Sequence, residues 1–414
     1  MKISIIIPTR ERAQYLRFSL QTALGIQDEN LEILVCNNAS CDNTEAVIKS
    51  FSDPRIRYVN TGSRISMREN FNNALKHSSG EYVIFFGDDD GIVPSQFKYL
   101  RALLETHRPD GLSWCRATYG WPIKGYGIKT GGVRFYRHTS FGKPFLYDPK
   151  VANLDALMGC QLSYLMPVTP NIYHGCVSRD YLNKTAPKSG DYFDSAIPDV
   201  NFQYRTIMLG GNFLHADHPF TINGYSPAST GGAYNKNTPD SQSNKAGEAF
   251  VAENKADTLE DVLDHALTIP LAFFSTLETA IKRMDYVDHV PDYTAWYRYI
   301  LSTEKNNSQL VPRIKDILTQ YAIQTGTKEH LTAAQKMKRK AKRTFTERLA
   351  RWNSQVNSFR VSAAIEGENT ILSAVEVYDT ILTDDYGAVI DQSISRDAAW
   401  RLARKRSKSF ARQL

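Results

Sequence analysis

The chain has no apolar run approaching the length of a membrane-spanning helix. It shows no internal repeat and no low-complexity tract. The N-terminus enters a strand pattern at once, with Ile3-Ser4-Ile5-Ile6-Ile7, so no signal peptide is expected. Cysteine is scarce. There are five (Cys36, Cys41, Cys115, Cys160, Cys176), an odd number without zinc spacing, and they read as reduced thiols of a cytoplasmic protein. Two phosphate-binding signatures are also missing. A dinucleotide site wants a glycine-rich first turn, and the first turn here is Pro8-Thr9-Arg10-Glu11-Arg12. A P-loop wants Gly-Lys-Ser/Thr, which does not follow any strand.

What is present is a regular alternation. A β-branched run ends at Pro8, and apolar residues at helical spacing follow over Ala13–Leu24. Strands are predicted at 31–36, 56–59 and 82–86, with helices from 42 through 48, at 67–76 and at 94–106. Such alternation implies an open, mostly parallel sheet with helices on both faces. Ligands of these sheets bind beyond the carboxyl ends of the strands. Four loops therefore converge: Pro8–Arg12, Asn37–Asp42, Gly62–Arg64 and Phe86-Gly87-Asp88-Asp89-Asp90-Gly91. Three adjacent carboxylates repel one another at the end of a buried strand. A hard divalent cation resolves that conflict, and Mg²⁺ or Mn²⁺ is commonly shared between carboxylates and substrate phosphates. The competing reading is a solvated acidic turn that caps the next helix.

The segments Ile5–Arg12, Glu32–Thr44 and Gly80–Asp90 occur in the order and spacing of family-2 glycosyltransferases, and the chain resembles that family strongly over residues 1–110 and weakly over 170–230. The resemblance implies a GT-A fold, Rossmann-like in its first half, and a nucleotide-diphosphate sugar as donor. Carried over by position, Pro8, Thr9, Glu11, Asn38, Arg68, Asp88 and Asp89 would contact the nucleotide sugar, and Asp89 and Asp90 the metal. Two departures stand out. Asn37-Asn38 replaces the usual pair of aspartates, and Gly87 occupies a place often held by Asp. In Ala196–Tyr204, Asp199 resembles the family's acidic segment near the acceptor hydroxyl and is the expected general base, with Asp191 and Asp194 as substitutes.

The expected organisation is a catalytic domain over 1–235, split at 110 into nucleotide-sugar and acceptor halves. A flexible linker over 236–256 and a helical C-terminal region over 257–414 would follow. Residues 226–248 read as a mobile loop of the kind that closes over donor sugars. The aromatics of 111–170 read mainly as packing, with one or two lining an acceptor groove. His215, Asp217 and His218 read either as structural or as completing the metal or phosphate site. Helices are expected at 259–284, broken at Pro270, at 292–301 and at 311–323. Residues 336–351 and 396–414 are basic and carry Phe345, Trp352, Trp400, Leu402 and Phe410, a composition suited to an anionic membrane surface. A solvated face is the alternative, and nucleic acid is not expected. The activity expected is metal-dependent, inverting transfer of a sugar to a saccharide or glycolipid acceptor, in surface polysaccharide or glycolipid synthesis at the inner face of a membrane. The alternatives are a sugar-phosphate nucleotidyltransferase and a scaffold subunit whose donor site has decayed.

Overall fold

The structure is a computed structural model that describes residues 1–122, 131–161, 168–228, 242–263, 268–286, 288–304, 310–337 and 345–410. Its first half follows the predicted alternation. The order is β1 (Ile3–Thr9), α1 (Ala13–Leu24), β2 (Leu31–Asn37), α2 (Thr44–Lys49), β3 (Ile56–Asn60), α3 (Met67–His77), β4 (Tyr82–Phe85), β5 (Gly91–Ile92) and α4 (Pro94–His107). Then come β6 (Gly111–Trp114), β7 (Ala117–Gly120), β8 (Gly132–Tyr136), β9 (Phe145–Tyr147) and α5 (Pro149–Met158). They are followed by β10 (Gly175–Ser178), α6 (Arg179–Lys184), α7 (Pro198–Leu209), β11 (Phe213–Ala216), β12 (Thr221–Tyr225) and, far along the chain, β13 (Ser358–Ser362).

The main sheet has eight strands in the order β3-β2-β1-β4-β10-β6-β11-β9. Strands β3, β2, β1 and β4 are parallel, whereas β10 runs antiparallel to both β4 and β6. Strand β11 is parallel to β6 and β9 antiparallel to β11, so six of the eight strands share one direction and the sheet is mixed but mostly parallel, as expected. Pro8 does not end β1, which pairs with β2 as far as Thr9 and Asn37. Pairing with β4 stops earlier, at Ile6 and Phe85, so the missing N–H of Pro8 interrupts no ladder on that side. Helix α3 opens on a capping box, with Ser66 accepting from the Glu69 N–H and Glu69 from the Ser66 N–H.

The C-terminal region departs furthest from expectation. It is not one helical appendage. Strand β13 pairs with β8 in a second, five-stranded sheet ordered β13-β8-β7-β12-β5. Helices Ile371–Leu382, Asp385–Ile390 and Arg396–Arg406 then join the same apolar core as β1 and β4, through Val375, Tyr378, Ile381, Trp400 and Ala403. Phe135 stacks on Tyr378 at 4.0 Å and on Phe359 at 4.8 Å, and Phe359 meets Trp400 at 5.0 Å. A separate core gathers α7 with the helices Ile269–Arg283, Tyr293–Glu304, Leu310–Gln324 and Lys328–Lys336. The expected break at Pro270 is instead a start: Pro270 sits in the first turn of Ile269–Arg283, where no backbone N–H is needed, and 259–263 are not helical. The expected linker over 236–256 is helical from Gln242 to Lys255. Of the expected mobile loop, 229–241 lie outside the described residues, as do Tyr126 and the basic run 338–344. No helix among the described residues is long and apolar enough to cross a membrane.

Candidate active site

Strand β4 is apolar and fully buried, and Phe86 after it is still at 0 % exposure. The chain must then turn with its acids inside the molecule. The turn closes on itself, since the Gly87 N–H donates to Asp90 Oδ2 at 2.8 Å and the Asp90 N–H to Gly87 O at 3.2 Å. It opens into a cavity of about 380 Å³, bordered by Pro8, Thr9, Arg10 and Arg12 from β1 and the loop after it, by Asn38, and by Met67, Asn70 and Phe71 of α3. Asp88 to Asp90, Tyr173, Asp199, Asn223 and Gly224 also border it. Phe250 and Glu253 of the helix Gln242–Lys255 and Ile269 and Phe273 of the next helix complete the wall.

The three acids have different partners. Asp88 accepts from Thr9 Oγ1 at 2.7 Å and from Arg12 Nη1 at 2.9 Å. Asp90 is saturated by the protein. Its Oδ2 accepts from Tyr173 OH at 2.5 Å and lies 3.1 Å from His174 Nε2, while Oδ1 accepts from the Gly224 N–H at 2.6 Å. Burial pushes the Asp90 carboxyl up, but His174 and Tyr173 outweigh it and hold the group below the usual range. Asp89 accepts at Oδ2 from Ser226 Oγ at 2.5 Å, and its Oδ1 has no hydrogen-bond donor among the described residues. Burial raises the Asp89 carboxyl to about 7, with Asp90 and Asp88 adding repulsion against the pull of Arg12.

That donor set fits a hard cation at Asp89, which offers a free carboxylate oxygen and an excess of negative charge. It does not fit Asp90 as a metal ligand. Four protein groups already hold its oxygens, and its work is to shape the turn. Gly87 and Gly224 explain why. A Cβ on Gly87 would stand 2.5 Å from Tyr173 OH, so an aspartate there has no room and the tyrosine hydroxyl fills the place. A Cβ on Gly224 would meet Asp89 O at 1.7 Å, a contact that only glycine allows. Trp121 Nε1 donates to that same carbonyl at 2.9 Å and ties the turn to the second sheet.

Three further expectations need correction. Glu11 does not border the cavity; it accepts from the N–H groups of Cys41 at 2.8 Å and Asp42 at 3.1 Å and pairs with Arg64, joining two loops. Arg68 is buried and faces away from the cavity, forked onto Asp257 at 2.5 and 2.9 Å and paired with Asp191 at 2.8 Å. Asp191 is thereby engaged and Asp194 is buried, and neither borders the cavity as Asp199 does. Asn38 borders the cavity, but its amide is committed. It donates to Ile65 O at 2.8 Å and accepts from the Ile65 N–H at 3.0 Å.

Asp199 lies in the first turn of α7 and borders the cavity without a side-chain hydrogen bond among the described residues. Burial raises its carboxyl above the ordinary value, while the N–H groups of Val200 and Asp199 itself pull the other way. None of the described aromatics of 111–170 borders the cavity; Trp114, Tyr119, Trp121, Phe135 and Phe141 are core. His218 is structural, stacked on Tyr386 at 3.7 Å and bonded to Gln96 at 3.0 Å. Residues that sequence reasoning missed include Arg12, Tyr173, His174 and Ser226. The isolated pairing of Tyr173 with Phe85, next to the β10–β4 ladder, brings the Tyr-His pair beside the acids, and nothing local in the sequence signals that contact.

An α/β fold with an acidic turn at the carboxyl edge of its sheet, facing a carboxylate from a later helix, is the GT-A arrangement. Residues 4–156, a little over a third of the chain, match the family model described as Glycosyl transferase family 2. Curated relatives include a GalNAc(5)-diNAcBac-PP-undecaprenol beta-1,3-glucosyltransferase of Campylobacter jejuni, 34% identical over 95 residues that make up 22% of this chain and 31% of that protein. A UDP-Glc:alpha-D-GlcNAc-diphosphoundecaprenol beta-1,3-glucosyltransferase of Escherichia coli is 33% identical over 88 residues, 21% of this chain and 35% of that protein. The match thus spans only about a third of either relative. Solved structures that resemble the chain include S. aureus TarS in complex with UDP, at 15% identity and a TM-score of 0.42 over 90% of this chain and 99% of that one. Another is the mannosyltransferase PcManGT of Pyrobaculum calidifontis with GDP-Man and Mn2+, at 16% identity and a TM-score of 0.38 over 80% and 85%.

Proposed function

We propose that the protein transfers a sugar, with inversion, from a nucleotide-diphosphate sugar to a saccharide or lipid-linked acceptor in surface polysaccharide or glycolipid synthesis. One observation carries the reading: Asp89, with a free carboxylate oxygen, and Asp199, with a raised carboxyl, border the same cavity. Asp199 takes the acceptor's hydroxyl proton as that oxygen attacks the anomeric carbon from the face opposite the diphosphate. Arg12, fixed on Asp88, and Arg10, paired with Glu253, supply positive charge on the donor side. A phosphate group would compete with Glu253 for Arg10. A divalent cation bound at Asp89 would neutralise charge building on the leaving diphosphate.

A lipid-linked acceptor would place the protein at a membrane. The tail over 396–414 is poorly suited to insertion, because Trp400 is buried and Phe410 packs against the core. The helix Phe345–Val356 is better suited. Leu349, Trp352 and Val356 are all exposed and share one face by their three- and four-residue spacing.

The test incubates the full chain with a panel of nucleotide sugars and Mn²⁺, with and without a polyprenyl-diphosphate-linked acceptor. Nucleotide diphosphate release and the anomeric configuration of the product are read. Release of the diphosphate with an inverted product supports the proposal. Retained configuration rejects the single displacement at Asp199. Pyrophosphate formation from a sugar phosphate and a nucleoside triphosphate would make the protein a nucleotidyltransferase, and donor binding without turnover would make it a scaffold.

A further inference from the structure

Away from the cavity, the ends of β6 and β11 bring three side chains of different chemistry together. Cys115 follows β6, His215 is in β11 and Asp217 follows it; the two strands are parallel neighbours, with Ser113 opposite His215. Cys115 Sγ lies 3.8 Å from His215 Nε2 and 3.6 Å from Asp217 Oδ1, and His215 Nε2 lies 3.5 Å from Asp217 Oδ1. None of the three borders the cavity that holds Asp89 and Asp199.

From this triangle we propose a second metal site, a tetrahedral site for Zn²⁺ or a metal of its class, ligated by Cys115, His215 and Asp217. The argument is first one of size. Tetrahedral zinc bonds of about 2.3 Å to sulfur and about 2.0–2.1 Å to nitrogen and oxygen put neighbouring ligand atoms roughly 3.3–3.6 Å apart. The three separations match those edges to within a few tenths of an ångström. The second argument is the tautomer. A neutral histidine that ligates through Nε2 must carry its proton on Nδ1, and His215 Nδ1 lies 2.8 Å from Ser113 Oγ, a hydroxyl oxygen able to accept that proton. The third is the carboxylate. Asp217 turns Oδ1 to the cluster, while Oδ2 lies 3.7 Å from Arg396 Nη1, so its outer oxygen has a partner of its own. A thiolate beside an imidazole selects a borderline-soft cation rather than the hard one suited to Asp89. Ligands from Cys115 and from residues a hundred positions later have no sequence spacing to reveal them. Asp217 also receives the Gly142 N–H on its carbonyl, and Arg396 belongs to the C-terminal helices, so the metal would tie the sheet edge to that region.

The test titrates the purified full-length chain with Co²⁺ and Zn²⁺ in the presence of excess Mg²⁺, which occupies hard sites. One equivalent of Co²⁺ should give a thiolate-to-cobalt charge-transfer band and intense tetrahedral ligand-field bands, and Zn²⁺ should displace them. Cys115→Ser should remove the charge-transfer band, and His215→Ala should lower the bound-metal stoichiometry to near zero. Asp89→Asn should leave both signals unchanged. Zn²⁺ should also slow alkylation of Cys115, followed by peptide mapping in the wild type, so the outcome does not depend on variants that fold. Absence of the bands in the wild type, or alkylation unaffected by Zn²⁺, overturns the site. Bands that survive in Cys115→Ser overturn the ligand assignment.

Discussion

The two acidic parts of the cavity are built on opposite plans. On the turn after β4, Asp88 and Asp90 are held by side chains and backbone from five separate places in the chain: Thr9, Arg12, Tyr173-His174, Gly224 and the turn itself. At the start of α7, Asp199 has no hydrogen-bonding side chain among the described residues, only the N–H groups of its own turn. The difference fits the roles proposed for the two parts. A carboxylate that holds a cation against a diphosphate gains from rigid preorganisation, since misplacement lowers the charge stabilisation it offers. A general base must exchange a proton during turnover, and a cationic side chain fixed on it would oppose that exchange.

Replacing Asp89 tests the rigid side most severely. Asp89→Asn keeps the shape and the bond from Ser226 but removes the charge. Transfer should fall by about 10³-fold or more, because metal stabilisation of a leaving group amounts to several kcal/mol. Mn²⁺ should raise the thermal midpoint of the wild type and not that of the variant, since only a state that binds the ion is stabilised by it. Activity within threefold of wild type, with metal still required, would place the cation elsewhere.

The Asp199 side predicts a loss with a pH signature. Asp199→Asn should lower turnover by roughly 10²–10⁴-fold with donor affinity kept. Asp199 must be ionised to accept a proton, and burial raises its carboxyl. The rate of the wild type should therefore fall as pH drops through a value above the ordinary aspartate pKa of about 3.9. That acidic limb should be missing from the residual activity of the variant. A limb of unchanged position in Asp199→Asn would assign it to another group.

The rigid side can also be disturbed without touching a charge. Gly224→Ala puts a methyl where Asp89 O now lies, so the turn must shift. A displacement near 1 Å costs on the order of 10²-fold in rate. The loss should appear with an unchanged pH limb, because Asp199 is untouched. Equal activity in this variant would show that the turn tolerates movement and that the contrast between the two parts is overstated.

Local pattern made the rigid side legible only in part. Strands β1 to β4 and their helices were readable because apolar periods of 2 and 3.6 are written within ten or so residues. Asp88 to Asp90 and Asp199 were readable as acids next to apolar elements. The partners were not. Tyr173, Ser226 and Gly224 reach the turn through pairings that join residues more than eighty positions apart. The same limit hid β13, whose partner β8 lies more than two hundred residues earlier, and so hid the core role of Trp400. Arg68 misled for a related reason. An arginine near a nucleotide loop looks free until Asp257, in a distant segment, is seen to neutralise it.

The smallest expected effect separates the catalytic comparison from membrane docking. Trp352→Ala removes an aromatic that is 62% exposed, and no part of the cavity depends on it. Turnover on a soluble acceptor should stay at the wild-type level. Co-sedimentation with vesicles rich in anionic lipid should weaken several-fold, because an interfacial helix binds through its buried apolar area together with basic charge. High salt should weaken the wild type further, since screening removes the charge contribution. Deleting 396–414 is not an equivalent experiment: it strips Trp400 and Ala403 from the core and should lower the thermal midpoint before it alters lipid binding. Equal sedimentation of wild type and Trp352→Ala at low salt would reject the helix Phe345–Val356 as the membrane contact and leave both acidic parts of the cavity as they are.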